Sequence, residues 1–375
     1  MAMEEEAIFK RMREQFGFHD RPRRMTPAEL VRRVADGDFL STIDCAATDL
    51  RGAALTGCIF EKTSFRNANL RGADLRESVF THCDFSGADL TGARADLAVF
   101  QNTDLTDARL PQAKLDFAKF LECTARRIDL TAVDLTGALA YQCALQEACL
   151  DDADLERAIF QESDLAGVRL ARIRCPQALM NGLDFTQSVL DGADFRQAIL
   201  MNSCFAGMNL GGMAFAQAQL NGTDLQGVDF SNADLTQTSF VQCRMDGACL
   251  ERARAPLALF IEARLPNARM GGAVLRQASF QKADLSAADL SAVDATASVF
   301  QKALCRNTGF RSAQLTDCDF AHADLSGADF TNARLLRAKL HRCVREQTIW
   351  TGSDVQAAFG DDPVRTAGEE WQPPF

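Results

Sequence analysis

The sequence predicts an all-β solenoid of four-sided coils, and three observations carry that reading. First, from Leu50 to Leu340 every fifth residue is apolar with no insertion or deletion, and 52 of these 59 centres are Leu, Phe or Met. Second, the residue two before a centre is small, as in Ala68-Asn69-Leu70 and Ala73-Asp74-Leu75. Third, a twenty-residue rhythm runs beneath the five-residue beat. The residue before the centre is Val, Ile or Leu in nine of the fifteen beats centred on 60, 80, 100 and so on to 340, whereas elsewhere it is most often Asp. A helix repeats near 3.6 residues and a strand at 2.0. A five-residue unit with a small and a large buried residue two apart is instead a strand-like step followed by a bend. Four such steps in twenty residues close one coil, and the repeat makes nearly the whole chain one solenoid.

Residues 45–343 supply about 15 such coils, which stack like parallel strands ~4.8 Å apart into a rod roughly 70 Å long. Centres and small slots point inward, and the other three residues of each beat face solvent. A buried centre contributes on the order of 1.5–3 kcal/mol, opposed by the entropy of ordering the chain. The corners are legible as well. Sixteen of the 24 glycines and seven asparagines sit two after a centre, and Pro111, Pro176, Pro256 and Pro266 sit one after. Pro followed by a position that accepts positive φ is the chemistry of a type II turn.

Residues 1–44 lie outside the beat and read as an N-terminal helical cap. Met3 to Phe16 has an amphipathic pattern, and Asp20 to Arg24 is a polar break containing Pro22. Thr26-Pro27-Ala28-Glu29 combines a capping Thr, Pro at the first helical position and Glu three after the cap. That helix runs through Leu30 and Val34, stops near Gly37 and covers the first coil, whose core and strand edge are otherwise exposed. Residues 344–375 read as a C-terminal cap. Trp350 falls on a centre and lids the last coil, Ser353-Asp354 starts a short helix through Phe359, and Asp361 to Phe375 is expected to be a mobile acidic tail.

The formal net charge of −11 disfavours a nucleic-acid or acidic-membrane surface. No stretch approaches the ~18 apolar residues of a membrane helix. Glu4, Glu5 and Glu6 stand where a secretory signal carries positive charge, so the expectation is a cytoplasmic protein. Seven cysteines (Cys58, Cys83, Cys123, Cys143, Cys243, Cys318, Cys343) occupy small slots with no zinc-like spacing, and they read as inert core thiols. Cys123 and Cys143 are expected to stack in adjacent coils.

Of the four histidines, His19, His82, His322 and His341, only the last two fall near each other. As two exposed imidazoles without a third ligand, they read as surface. Asp ladders such as Asp134-Asp154 and Asp164-Asp184 suit an acid/base couple on paper. Yet Asp is the standard tenant of that position, where it bonds neighbouring backbone. No phosphate loop follows a strand, and an uninterrupted beat leaves no long loop to build a pocket. The sequence therefore points to no catalytic, metal or cofactor residues and to no enzyme.

Beats such as Ala73-Asp74-Leu75, Ala88-Asp89-Leu90, Ala153-Asp154-Leu155, Ala283-Asp284-Leu285 and Ala323-Asp324-Leu325 resemble those of the pentapeptide-repeat proteins, with A-(D/N)-L-x-x in tandem. The resemblance implies a right-handed quadrilateral β-helix. It also implies candidate functions, since the best understood members mimic DNA in shape and charge and bind DNA gyrase or topoisomerase IV, conferring quinolone resistance or self-immunity. Others resemble secreted effectors or secretion-system accessories. Magnitude weighs against whole-rod mimicry. The first 45 residues carry −1, residues 345–375 carry −4 and the solenoid between them −6 of the total −11. A duplex ~70 Å long would carry roughly 40 negative charges. The Asp ladders are moreover interleaved with Arg94, Arg174, Arg254 and Arg334.

The sharper feature is the side centred on 60 to 340. Its middle carries Leu121, Tyr141, Ile159, Leu179, Ile199, Met201, Val241, Leu259 and Ile261 as outward apolar residues, expected to form a contiguous strip. Strand propensity alone accumulates β-branched residues on a regular side, but an exposed apolar strip on a globular surface marks an interface. The expected function is a rigid, non-enzymatic scaffold that uses this side to bind a protein partner or a second copy. A gyrase-binding DNA mimic is the alternative, and a secretion-system accessory the next.

Overall fold

A computed structural model describes residues 22–371. The helix expected over Met3–Phe16, and His19, lie outside these residues. The chain divides into two compact units, Met1–Asp154 and Leu155–Phe375, and each is an all-β solenoid with one short α-helix among its described residues.

The first unit opens with strand β1 (Arg23–Arg24) and helix α1 (Pro27–Ala35). The helix starts where the capping sequence places it. The Thr26 hydroxyl accepts the Glu29 N–H at 3.2 Å, and Leu30 and Val34 are buried. Gly37, at φ +77°, follows the last turn. Strands β2 (Leu40–Ser41) and β3 (Ile43–Asp44) lead into the coils, with β1 parallel to β3 through Arg23↔Ile43.

Coil pairing then follows one rule. Strands β4 (Ile59–Glu61), β5 (Val79–Thr81), β6 (Val99–Gln101), β7 (Lys119–Leu121) and β8 (Leu139–Tyr141) are parallel neighbours in which each residue pairs with the one twenty further on, as in Phe60↔Phe80 and Phe80↔Phe100. Between strands, single bridges recur at every fifth residue with the same offset, such as Asp49↔Asn69, Ala54↔Asp74 and Ser64↔Asp84. A centre N–H donates forward (Leu50 N to Asn69 O, 2.8 Å) and the residue before a centre donates backward (Asp74 N to Ala53 O, 2.9 Å), so neighbouring coils satisfy one another's backbone. Among the described residues, only the ladder rich in Val, Ile and Leu forms strands of three residues. In the second unit this holds only for β9 (Ile159–Gln161) among the described residues, and the remaining coils pair through single bridges.

The corner residue takes positive φ whatever its side chain, as at Gly72 (+63°), Gln217 (+64°) and even Leu257 (+61°). The turn is closed by the next slot, whose N–H donates to the preceding centre carbonyl (Ala53 N to Leu50 O, 3.0 Å). Gly137 shows where the corner favours glycine, since any side chain there would push the exposed Phe117 ring aside. Its φ is +65°, and a Cβ there would lie 2.5 Å from the Phe117 ring.

Inside, centres stack coil upon coil. In the first unit Phe60, Phe80, Phe100 and Phe120 lie face to face with centroids 5.2, 5.1 and 5.0 Å apart. In the second, Phe240, Phe260, Phe280, Phe300 and Phe320 do the same at 4.7–4.9 Å. The small slots hold mostly Ala, Cys, Ser or Thr, with Val, Ile, Leu or Met at some, such as Val133, Ile173 and Leu183. Cys123 and Cys143 meet as expected: a hydrogen bond between their thiols, then burial, pushes Cys123 far up. Burial pushes the Cys243 thiol up to about 12, which keeps it protonated and inert.

Slot hydroxyls donate to a carbonyl 23 residues earlier, as Thr223 does to Leu200 (2.9 Å) and Ser298 to Leu275 (2.6 Å). Thr63 and Ser163 donate to the carbonyl two residues earlier, and the buried Ser188 hydroxyl has no partner. Ser298→Ala is therefore expected to cost about 1 kcal/mol, whereas Ser188→Ala is neutral or stabilising. Chemical denaturation of the two variants checks the contrast.

The C-terminal end departs from expectation. A single 3-10 turn, Val355–Ala357, stands where a helix through Phe359 was expected, and Phe359 instead bridges Lys339. Residues expected to form a mobile tail contain helix α2 (Pro363–Glu370). The reason is local: Asp362 accepts the N–H groups of Val364 (2.9 Å) and Arg365 (3.1 Å), and Pro363 supplies the preset φ of the first turn. Trp350 stacks on Phe330 with centroids 4.5 Å apart.

Candidate functional site

The nine residues of the apolar side fall in both units. Leu121 and Tyr141 belong to the first, where they pair on neighbouring strands. The other seven belong to the second. Ile159, Leu179 and Ile199 are consecutive members of one bridge ladder, so their outward side chains form a continuous run, and Met201 follows one residue past the next centre. The Met201 N–H is held by the Asn181 side chain at 2.9 Å. Past Ile199 the same ladder continues through Gln219 and Ser239 to Leu259, with Val241 and Ile261 beside it. The expected single strip is thus two apolar patches in the second unit, parted by polar residues. Eight of the nine side chains are half-buried, because each lies against its ladder neighbours, and Leu259 is exposed.

Other exposed apolar residues escaped the sequence reading. Leu97 and Phe117 are more than half exposed at corner positions, where turn chemistry leads one to expect Gly or Asn. Beside them, Asp116 sits against Asp96 and Asp134. Burial first, and then the two neighbouring carboxylates, push the Asp116 carboxyl up to about 6. A carboxyl whose pKa is higher folded than unfolded takes up a proton on folding. Stability is therefore gained as pH falls through about 6 and is fully present below the ordinary value of 3.8. Asp116→Asn is expected to raise the melting temperature near pH 7 by about 1–2 °C, since solvent screens much of the repulsion, and to remove the effect below pH ~4. Thermal melts across that range check it.

The recurring Asp side chains work as backbone caps. Asp84 accepts the Ser86 N–H (2.8 Å) and Asp184 the Thr186 N–H (2.9 Å). Many also pair with Arg, as Asp89 does with Arg71 (2.7 Å) and Asp329 with Arg311 (2.6 Å). No long loop builds a pocket among the described residues, but a half-open hollow of about 330 Å³ lies on the coils of the second unit, lined by Glu162, Asp164, Asp184 and Gln187 among others.

The histidines also differ from expectation. His341 is buried, with 3% of its side chain exposed, because α2 lies over it. Glu369 of α2 reaches both imidazoles: its Oε1 is 3.1 Å from His322 Nε2 and its Oε2 is 3.3 Å from His341 Nε2. Arg365 Nε donates to the same carboxylate at 2.8 Å, and Arg342 lies 3.4 Å from it. Desolvation works to raise the Glu369 carboxyl, but hydrogen bonds from His322, Arg365 and His341 outweigh it and hold the group down at about 2. No sequence signal could have joined these residues, since Glu369 lies outside the beat.

The sequence profile of a family described as pentapeptide repeats matches in 8 copies over residues 43–81, 83–120, 141–174, 178–212, 215–253, 258–291 and 310–344, which is more than half of the chain. Among solved structures, full-length QnrB1, described as a plasmid-mediated fluoroquinolone resistance protein, is 21% identical with a TM-score of 0.24, and the match covers 44% of this chain and 91% of that one. HetL, described as a pentapeptide repeat protein involved in heterocyst differentiation regulation in the cyanobacterium Nostoc sp. strain PCC 7120, is 21% identical with a TM-score of 0.18, covering 81% of this chain and 96% of that one. No curated protein matches the chain.

Proposed function

Because the chain belongs to the pentapeptide-repeat family, we propose that it is a non-enzymatic interaction scaffold that presents one apolar side to a protein partner or to a second copy of itself. The observation that carries this reading is the ladder Ile159–Leu179–Ile199, with Met201 beside it. On other ladders the corresponding position is most often Asp, and no run of three successive large apolar residues occurs there among the described residues. Here three successive apolar side chains project at a place the core does not need them, which is what a docking surface requires. The coils of the scaffold are four-sided, in keeping with the five-residue bridge spacing and the twenty-residue register, and right-handed, as the family resemblance implies. Residues 22–44 act as a cover for the first coils, a reading that the burial of Met25, Leu30 and Val34 supports, and residues 344–371 act as the corresponding cover at the other end, with Trp350 stacked on Phe330. The site of action is the cytoplasm. Among the described residues no helix is long and apolar enough to cross a membrane.

The charge pattern supports this reading over mimicry of duplex DNA. Carboxylates that would imitate phosphates are paired within the coils, as Asp324 is with Arg306 at 2.5 Å. Such pairs leave little of the unbroken negative field that a duplex presents.

The test is capture from the native host with the immobilised full-length chain, followed by hydrogen exchange on the reconstituted complex, with sedimentation of the purified chain as the self-association arm. Protection centred on residues 159–201 and 241–261 is expected. A complex that protects only residues 22–44 or 344–371, and leaves the apolar side exchanging freely, would overturn the reading.

A further inference from the structure

His322, His341 and Glu369 place three donor atoms within 4.8 Å of one another. The two imidazole rings stand nearly perpendicular, at 87° with centroids 5.4 Å apart, so that both Nε2 atoms converge on one carboxylate. A tetrahedral ion with bonds of ~2.0–2.1 Å sets its donor atoms roughly 3.3 Å apart. His322 Nε2 lies 3.1 Å from Glu369 Oε1 and His341 Nε2 lies 3.3 Å from Oε2, so the three side chains close to that spacing by a small turn of the carboxylate that presents one oxygen to the ion. We propose that these three side chains bind a borderline divalent transition cation, with Zn²⁺ as the type, and that the ion staples helix α2 to the coils beneath it.

The donor set selects the class of ion. Two imidazoles and one carboxylate suit zinc and its neighbours, whereas Mg²⁺ and Ca²⁺ take oxygen donors. Three protein ligands leave a fourth position to solvent, and His322 and Glu369, each 27% exposed, keep that side of the site open.

The protons can be accounted for. The Asp362 N–H donates to His341 Nδ1 at 3.0 Å, so the neutral ring carries its proton on Nε2 and donates to Glu369. An ion on Nε2 moves that proton to Nδ1. Asp361 Oδ1, 3.9 Å from Nδ1, is the carboxylate placed to accept it, in the carboxylate–histidine–metal arrangement that orients such ligands. The Asp362 N–H loses His341 Nδ1 as its acceptor in that tautomer, a cost the ion has to exceed. Arg365 and Arg342 give up their hold on Glu369 to the ion. Both arginines are partly solvent-accessible, so their release is cheap, although their charge opposes the ion and lowers its affinity.

The experiment titrates Zn²⁺ into untagged, chelator-stripped full-length protein at neutral pH by calorimetry. One ion per chain is expected. Glu369→Gln and His322→Ala should each weaken binding at least ~100-fold, and Asp361→Asn about 10-fold. Co²⁺ in place of Zn²⁺ should give the visible bands of a four-coordinate nitrogen/oxygen site without a thiolate charge-transfer band, which separates it from the 13 cysteines. Zn²⁺ should also slow amide exchange in residues 363–370 about tenfold in the wild type and leave Glu369→Gln unchanged. Glu369 and His322 lie at the surface, so both variants keep the fold. Absence of saturable binding, binding that Glu369→Gln leaves intact, or a thiolate band with Co²⁺ would each overturn the proposal.

Discussion

Phe280→Ala is expected to lower the stability of the unit Leu155–Phe375 by about 3–5 kcal/mol, against about 1 kcal/mol for Phe280→Leu. Phe280 has no exposed surface and lies between Phe260 and Phe300, with centroids 4.7 and 4.9 Å away and ring planes within 3° of parallel. The cavity left by alanine cannot close, because the coils on either side are held at fixed spacing by backbone bonds such as Phe280 N to Val299 O (2.6 Å) and Phe260 N to Ser279 O (2.7 Å). Leucine, which fills most other centres, keeps the volume and loses mainly the stacking, worth ~0.5–1.5 kcal/mol per aromatic pair. In a solenoid each coil answers chiefly to its neighbours. Exchange should therefore accelerate most over residues 255–305 and fade with distance along the chain. Urea titration gives the energies and hydrogen exchange the spread. If the alanine variant costs no more than the leucine variant, the ring stack is not what holds these coils.

The same neighbour-to-neighbour logic explains what could be read from the residues and what could not. The inward positions are dictated by the coil itself, so Leu50, Phe60 and Ala73 announce their burial by periodicity alone, and the twenty-residue bias correctly foretold pairings such as Ile59↔Val79. The Thr26 cap was equally legible, because a capping motif acts within four residues. Helix α2 was legible in principle, through Asp362 and Pro363, but the acidic composition of that stretch outweighed the local signal. The burial of His341 was not legible at all. It depends on α2 folding back over a residue some twenty to thirty positions earlier, outside any repeat. Positive φ at Leu97, Phe117 and Leu257 shows a different limit. Turn propensity favours Gly or Asn there, yet bonds between coils, such as Leu97 N to Asp116 O (2.9 Å), impose the corner on whatever residue stands in it. The apolar side lies between these cases. Its residues were plain in the sequence, while its division by Gln219 and Ser239 emerged only when the ladder was traced residue by residue.

The double substitution Ile159→Asp, Ile199→Asp is expected to weaken association at the apolar side at least ~100-fold while leaving the fold intact. Anchors at the centre of an interface are each worth ~2 kcal/mol or more when removed, and a carboxylate facing an apolar partner adds a desolvation cost. The fold should tolerate the change because Asp is its own choice at this position on other ladders. There it stays half-exposed and accepts the N–H two residues on, as Asp194 does from Arg196 at 3.0 Å. Ile159 and Ile199 are half-buried rather than core residues, so far-ultraviolet dichroism should be unchanged and the melting temperature should move by no more than ~3 °C. Gln219→Asp, in the polar gap of the same ladder, is the matched control and should alter affinity by less than ~3-fold. Sedimentation measures the self-association arm and affinity capture the heterologous one. Equal binding by the wild type and the double variant in both would remove the apolar side from the function of this chain, and would return attention to the ends of the coils.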